Sequence, residues 1–294
     1  MIPPKASSAP RPIVGILWMI FTGFNFVAVT VLVRQLGTDL PAAQSAFLRF
    51  AIGALFFLPS LLGLVRGGLS PQSLRVFLAR GAVHACAVVL WFYAMARIPV
   101  AEVTAIGYLN PVLVTLGATL FFKEKLTRTH YLAIGLAFVG TLIILRPGFR
   151  ILGLGQMAQV GAAILFGCSY LLAKKLSQSQ SAGQIVVMLS FCVTVGLAPL
   201  AFWVWVPPSL WQFFSLALVA LFATLGHFSM TRAFQAAPMA VTQPVVFLQL
   251  IWASLFGYIL FDELPDVFVV LGGFIIVAAV SYIVWRNPLQ EKKL

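Results

Sequence analysis

The stretch AEVTAIGYLNPVLVTLGATLFF, residues 101–122, decides how this chain reads. After Glu102 it carries no charge until Lys123. A helix needs about 20 such residues to cross a hydrocarbon core of about 30 Å. A second stretch, AVTQPVVFLQLIWASLFGYILF at 240–261, lies 139 positions further on and repeats the plan of the first. That shift carries Pro99 onto Pro238, Ala101 onto Ala240, Tyr108 onto Phe247, Asn110 onto Gln249 and Glu124 onto Glu263. A shift of 140 carries Gly15 onto Gly155, Arg34 onto Lys174 and Gln44 onto Gln184.

Outward from these stretches the chain keeps one character. Of its 294 residues 61% are hydrophobic and only 9% charged, with a mean hydropathy of +1.02. A soluble domain carries roughly a quarter charged residues. These few charges cannot coat a globule, so lipid must solvate the outside. The formal charge of +12 is scattered over short connectors and does not point to nucleic acid. Cys86, Cys168 and Cys192 sit in apolar runs and read as small packing residues, not a disulfide framework. The first apolar run is longer than a secretory leader's and lacks a small-residue cleavage site, so it reads as a retained helix.

Polar punctuation divides the chain into ten spans. The first five are Pro12–Val33, Ala42–Val65, Leu74–Met95, Ala101–Phe122 and Thr129–Leu145. The second five are Leu152–Ala173, Ala182–Val206, Leu210–Thr231, Ala240–Phe261 and Val267–Trp285. The runs are too long and too little alternating for barrel strands of about ten residues. The expected fold is an all-α polytopic membrane protein. Its ten transmembrane helices form two five-helix repeats, residues 1–148 and 149–294. With the N-terminus inside, 14 of the 19 cations fall on inner segments. Arg34, Arg97, Arg146 and Arg150 fall outside, and Arg49 lies within a span. Both termini are therefore expected on the cytoplasmic side.

Five spans is an odd number, so the second repeat enters the membrane from the opposite face. Loop charge agrees with this. Lys123-Glu124-Lys125, with Arg128, is net basic, whereas its counterpart with Asp262, Glu263 and Asp266 is acidic. Inverted repeats meeting at the midplane are a recurring plan of secondary transporters.

The pattern resembles the drug/metabolite transporter superfamily in its ten-helix EamA-type branch. The residues that carry the resemblance are Leu48-Arg49-Phe50, Tyr93-Ala94, Ile98-Pro99-Val100-Ala101 and Lys123-Glu124-Lys125-Leu126. Ala236-Ala237-Pro238-Met239-Ala240 and Asp262-Glu263-Leu264-Pro265 complete it. The chain is also similar to YddG-type aromatic amino-acid exporters of bacterial inner membranes. The resemblance implies a small-molecule exporter, with amino acids (aromatic and other neutral ones) as cargo. It further implies that spans five and ten form a static contact between the repeats, with the other eight around the cavity.

Polar groups at membrane depth are costly and are either satisfied by packing or put to use. Asn25, His84, Asn110 and Gln249 fall near mid-span, and Asn110 and Gln249 occupy matching slots of the two repeats. Thr104, Tyr108, Pro111 and Thr115 share one face of span four. His84 and Trp91 share a face of span three, and Thr224, His227 and Thr231 one of span eight. Gln249 lies near the face of Trp252. Asn25, His84, Trp91, Tyr108, Asn110, His227, Gln249 and Trp252 are thus the candidate substrate-binding residues. Each has the alternative role of interhelical glue, worth about 0.6 kcal/mol. Pro111 and Pro244 are candidate hinges, because a missing N–H breaks the helical ladder. Arg49 either binds a substrate carboxylate or pairs with Glu102, and the structural pairing is favoured.

All seven acids lie in connectors, at span ends or in the tail. Asn25, mid-way along the first span, cannot titrate. The expectation is facilitative export by alternating access without an obligatory proton, although His84 and His227 titrate near neutral pH. An intramembrane enzyme is the rival class. It is disfavoured by the lack of HExxH, GxSxG or an embedded carboxylate pair. A nucleotide sugar, a sugar phosphate or a cationic drug is a nearer rival cargo. No metal or cofactor is expected; the partners are the cargo and membrane lipids, and the chain is expected to act as a monomer.

Overall fold

The computed structural model describes residues 11–57, 69–122, 128–146, 152–237, 242–264 and 266–286. Among them no strand occurs. The helices in chain order are α1 (Pro12–Leu36), α2 (Ala42–Phe56), α3 (Pro71–Met95), α4 (Val100–Gly107) and α5 (Leu109–Phe122). Then come α6 (Arg128–Leu145), α7 (Leu154–Ser177), α8 (Ala182–Trp203) and α9 (Leu210–Ala236). A 3₁₀ segment (Gln243–Leu248) leads into α10 (Gln249–Phe261), and α11 (Val267–Arg286) completes the described chain. Of these, α1, α3, α7, α8 and α9 are long and apolar enough to cross a membrane. The part of the second expected span beyond Phe57 lies outside the described residues.

Local chemistry sets the boundaries. Ser181 and Ser209 open α8 and α9 with reciprocal capping boxes through Gln184 and Gln212. Prolines 12 and 71 start α1 and α3, where the missing N–H is harmless. Gly37 ends α1 at φ +68°, a conformation glycine adopts without strain. One expectation is corrected here. Span four is not one helix: it breaks at Tyr108, between α4 and α5. Pro111 supplies no N–H to the carbonyl of Gly107, four residues back, so the ladder opens at that turn. Span nine likewise begins as a 3₁₀ turn around Pro244 and becomes α-helical at Gln249, the repeat mate of Asn110.

The outside of the bundle is apolar. Leu17, Trp203, Leu210, Trp211, Ile251 and Phe274 are among many large hydrophobic side chains that point outward. Asn25, Gln44, His84, Gln159 and His227 point inward and are buried. Such a molecule needs a hydrocarbon solvent. The expected packing role holds least for Cys86 and Cys168, which lie exposed, while Cys192 is half-buried against Gly81.

Helix pairing obeys the two-fold exchange of the halves. Helix α1 packs on α9 as its counterpart α7 packs on α3; α2 meets α8 and α6 meets α11, each its own mate. In the last pair Gly272 faces the carbonyl of Gly140 with no room for a Cβ. Gly273 instead faces Leu250, and Gly135 has open space around it.

Two cations show that the halves are upside down relative to each other. At the end of α1, Arg34 Nη1 donates to the carbonyl of Ala96 at the end of α3, 3.2 Å away. Its repeat mate Lys174, at the end of α7, donates through Nζ to the carbonyl of Phe234 at the end of α9, 2.9 Å away. The amide of Arg11, at the start of α1, donates to the Ala236 carbonyl at that same end of α9. So α1 starts on the face where α7 ends. The Arg34 face is further tied by an ion pair to Glu263 (2.8 Å), whose other carboxylate oxygen accepts from the Val100 amide at the start of α4.

Candidate functional site: a hollow between the halves

Where the two broken spans meet α1 and α7, the bundle encloses a cavity of about 100 Å³. At about 10–15 Å³ per water centre this is room for several waters or a compact polar group. Its lining follows the repeat. Helix α1 contributes Met19, Phe26 and Thr30, and the shift of 140 places Gln159, Phe166 and Tyr170 of α7 opposite them. The breaks contribute Asn110 and Gln249 in the same paired way. The hollow therefore straddles the pseudo-axis.

Aromatic rings form its frame. Trp91 of α3 stands edge-on to Phe26 at 6.2 Å and to Phe166 at 5.5 Å, so one indole clamps both repeat mates. Tyr170 stacks on Phe166 at 5.9 Å, and His227 of α9 meets Phe26 edge-on at 5.1 Å. Edge-to-face rings of this kind are rigid and present a face to cations or to other rings.

The polar groups are half used. Asn110 donates its amide N–H to the Ala163 carbonyl at 3.3 Å, and Gln159 donates to the Val103 carbonyl at 2.9 Å. In both, the amide oxygen is buried without a partner, as is Nδ1 of His227. Orphaned buried acceptors are costly and are informative when they cluster. Here the donors face helix backbones, and all three residues line the hollow. Among the described residues no Asp, Glu, Lys or Arg lines it. Gln249 packs against Gly23, the repeat mate of Ala163; a Cβ there would lie 2.9 Å from its Cγ. The longer glutamine thus uses a glycine where the shorter Asn110 meets an alanine.

Of the eight candidate binding residues, Trp91, Tyr108, Asn110, His227 and Gln249 line the cavity. The other three do not line it. Asn25 is buried off to the side and donates to the Phe21 carbonyl at 2.7 Å. His84 lies one layer behind, its Nδ1 2.9 Å from Ser169 Oγ and its ring 5.0 Å from His227. Trp252 is 39% exposed and edge-on to Phe24, because three positions past Gln249 is about 60° round the helix. The side chains of Pro111, Pro244 and Thr115 lie outside the described residues. Among the described residues no ion pair joins Arg49 to Glu102; the Arg49 guanidinium lies 3.6 Å from the Phe50 ring centre, and Glu102 takes a 3.4 Å contact from Gln156. Among the described residues no group of three His, Cys, Asp or Glu side chains is placed to hold a metal. Residues that the sequence reading missed include Thr22, Phe26, Thr30, Gln159, Phe166 and Tyr170. Their 3- and 4-residue spacing along α1 and α7, and the repeat shift between them, was the available signal.

Two repeated helical units around a shared, uncharged hollow, with an apolar exterior, define a multi-pass membrane carrier. The chain belongs to the EamA-like transporter family, which matches it twice, over residues 13–146 and 153–285. It is 28% identical to the Pseudopaline exporter CntI of Pseudomonas aeruginosa over 90% of this chain and 94% of that protein. It is 29% identical to the Riboflavin transporter of Rhizobium johnstonii, over 96% and 94% of the two chains. The S-adenosylmethionine uptake transporter of Rickettsia bellii is 25% identical over 95% and 96%. A solved crystal structure at 15% identity superposes with a TM-score of 0.65, covering 95% of this chain and 98% of that one, which shows the shared fold. The chain is thus a multi-pass membrane transporter for a small molecule. Its relatives differ in cargo and in direction.

Proposed function

We propose that this transporter exports amino acids, aromatic and other neutral ones, from the cytoplasm of a bacterial cell by alternating access. The observation that carries the proposal is the uncharged hollow with clustered free acceptors, from Asn110 and Gln159, framed by Phe26, Trp91, Phe166 and Tyr170. An ammonium group supplies the missing donors, and the rings suit an apolar or aromatic side chain. The inverted halves supply the mechanism: exchanging the conformations of the two repeats opens the same site to the other face. The breaks at Tyr108 and Gln249 give each half a place to bend. With no acid among the described residues at the cavity, transport runs down the cargo's own gradient without a coupled proton. On this reading the protein sits in the inner membrane as a monomer with both termini cytoplasmic.

A second reading has a specific motive. Relatives at 28–29% identity are named riboflavin transporters, and a ring-lined hollow also suits a larger neutral heterocycle. The test is a counterflow panel in proteoliposomes with phenylalanine, leucine, riboflavin and S-adenosylmethionine. The proposal expects saturable flux of the two amino acids. Flux of riboflavin or S-adenosylmethionine without either amino acid would replace the cargo and leave the carrier mechanism standing.

A further inference from the structure

Behind His227 lies a second group of buried polar side chains that the cavity lining does not include. Arg80 of α3 is 1% exposed and Arg49 of α2 is 5% exposed. The ion pairs among the described residues are Arg34–Glu263 and Arg146–Asp266, so neither buried guanidinium has an acid beside it. Arg49 rests on the ring of Phe50. Arg80 donates one bond, from Nη1 to the Ile185 carbonyl at 3.3 Å, and its Nε and Nη2 are buried without partners.

The two arginines share one neighbourhood. His84 is one helical turn beyond Arg80 and stands edge-on to Phe50 at 5.8 Å. The His84 ring also lies 5.0 Å from His227 and 5.0 Å from Phe166. His227 and Phe166 line the cavity, so this group lies one layer behind it. The fold does not demand these cations: the shift that maps Gln44 onto Gln184 places Leu189 at the position of Arg49.

Two like charges held in a low-dielectric interior repel each other and lose hydration. Arg80 keeps two open N–H groups and neither guanidinium has an ion-pair partner among the described residues, an arrangement that a visiting anion would stabilise. A guanidinium presents a fork that matches a carboxylate. We propose that Arg80 and Arg49 form an anion subsite behind His227, which takes either the carboxylate of the cargo or a small inorganic anion. The proposal rests on the reading that cargo occupies the adjoining hollow. It divides the recognition of a zwitterion between the free amide acceptors on one side and the guanidinium donors on the other.

Binding to the purified full-length protein, followed by tryptophan fluorescence and by the thermal unfolding midpoint, tests it. The probes are benzoate, benzamide, bromide, phenylalanine and phenylalaninamide. Benzoate should bind at least tenfold more tightly than benzamide, and Arg80→Gln and Arg49→Gln should each abolish that preference while Arg34→Gln leaves it. Bromide that competes with benzoate and phenylalanine supports the cargo carboxylate as occupant. Bromide that binds together with phenylalanine, in an Arg80-dependent way, supports a separate inorganic anion. Equal affinity of the wild type for benzoate and benzamide with no response to bromide overturns the subsite, and needs no variant to fold. Anion binding unchanged in both arginine variants overturns it as well. If phenylalanine fails to bind while benzoate and bromide bind through Arg80, the amino-acid reading falls and the subsite stands.

Discussion

The free oxygens of Asn110 and Gln159 set the chemistry of the hollow, and a glycine sets its shape. Gly23 leaves the space in which Gln249 lies, with a prospective Cβ only 2.9 Å from Cγ, near the root of that side chain. Gly23→Ala should therefore displace the amide and overpack the site by about 1–3 kcal/mol. The expected outcome in a binding titration is an affinity for the cargo about tenfold weaker, the equivalent of about 1.4 kcal/mol, with the protein still folded. An unchanged affinity would mean that Gln249 does not touch the cargo. Legibility at this scale followed polarity. Asn110 and Gln249 were readable because amides are rare in apolar runs. Gln159 was equally readable in type but escaped, because its repeat mate is the apolar Met19. Phe26, Phe166 and Tyr170 were hidden among ordinary packing aromatics, since nothing in one sequence marks which ring faces a void.

At the scale of the element, the break between α4 and α5 is the feature a periodicity argument passes over. Residues 101–122 have the length and composition of one continuous span, and Pro111 reads as a hinge within it. What the hydropathy pattern does not display is where the freed carbonyl lies. It belongs to Gly107, so the helix gives way one turn before the proline and re-forms at Leu109. Trp252, three positions past Gln249 on the same helix, lies about 60° round its axis and is partly exposed. If the break is where the first half bends, restoring an N–H should stiffen it. Pro111→Ala is expected to slow counterflow about tenfold while changing the dissociation constant less than about twofold, the signature of a gating defect. Equal loss of flux and affinity would point instead to a packing fault.

For the whole molecule, charge and the repeat shift were the legible quantities. The acidic cluster around Glu263 and the cations Arg34 and Lys174 read as mates on opposite faces, and the structure seats both cations on the carbonyl ends of equivalent helices. The surroundings of Arg49 were not legible, because opposite charges in two spans, here Arg49 and Glu102, say nothing of depth or rotation about the helix axis. A carrier whose hollow holds no acid predicts that an imposed pH gradient leaves the initial rate of cargo counterflow unchanged. A rate that rises severalfold with the gradient would assign a proton to His84 or His227. The inverted arrangement on which the mechanism stands is tested most directly by paired thiol labelling. In a variant with Cys86, Cys168 and Cys192 replaced by alanine, single cysteines are placed at Thr38, just past α1, and at Gln178, just past α7, both exposed positions. A membrane-impermeant maleimide added to intact cells should label Thr38→Cys and leave Gln178→Cys untouched until the membrane is opened. Labelling of both from the same side would contradict the account.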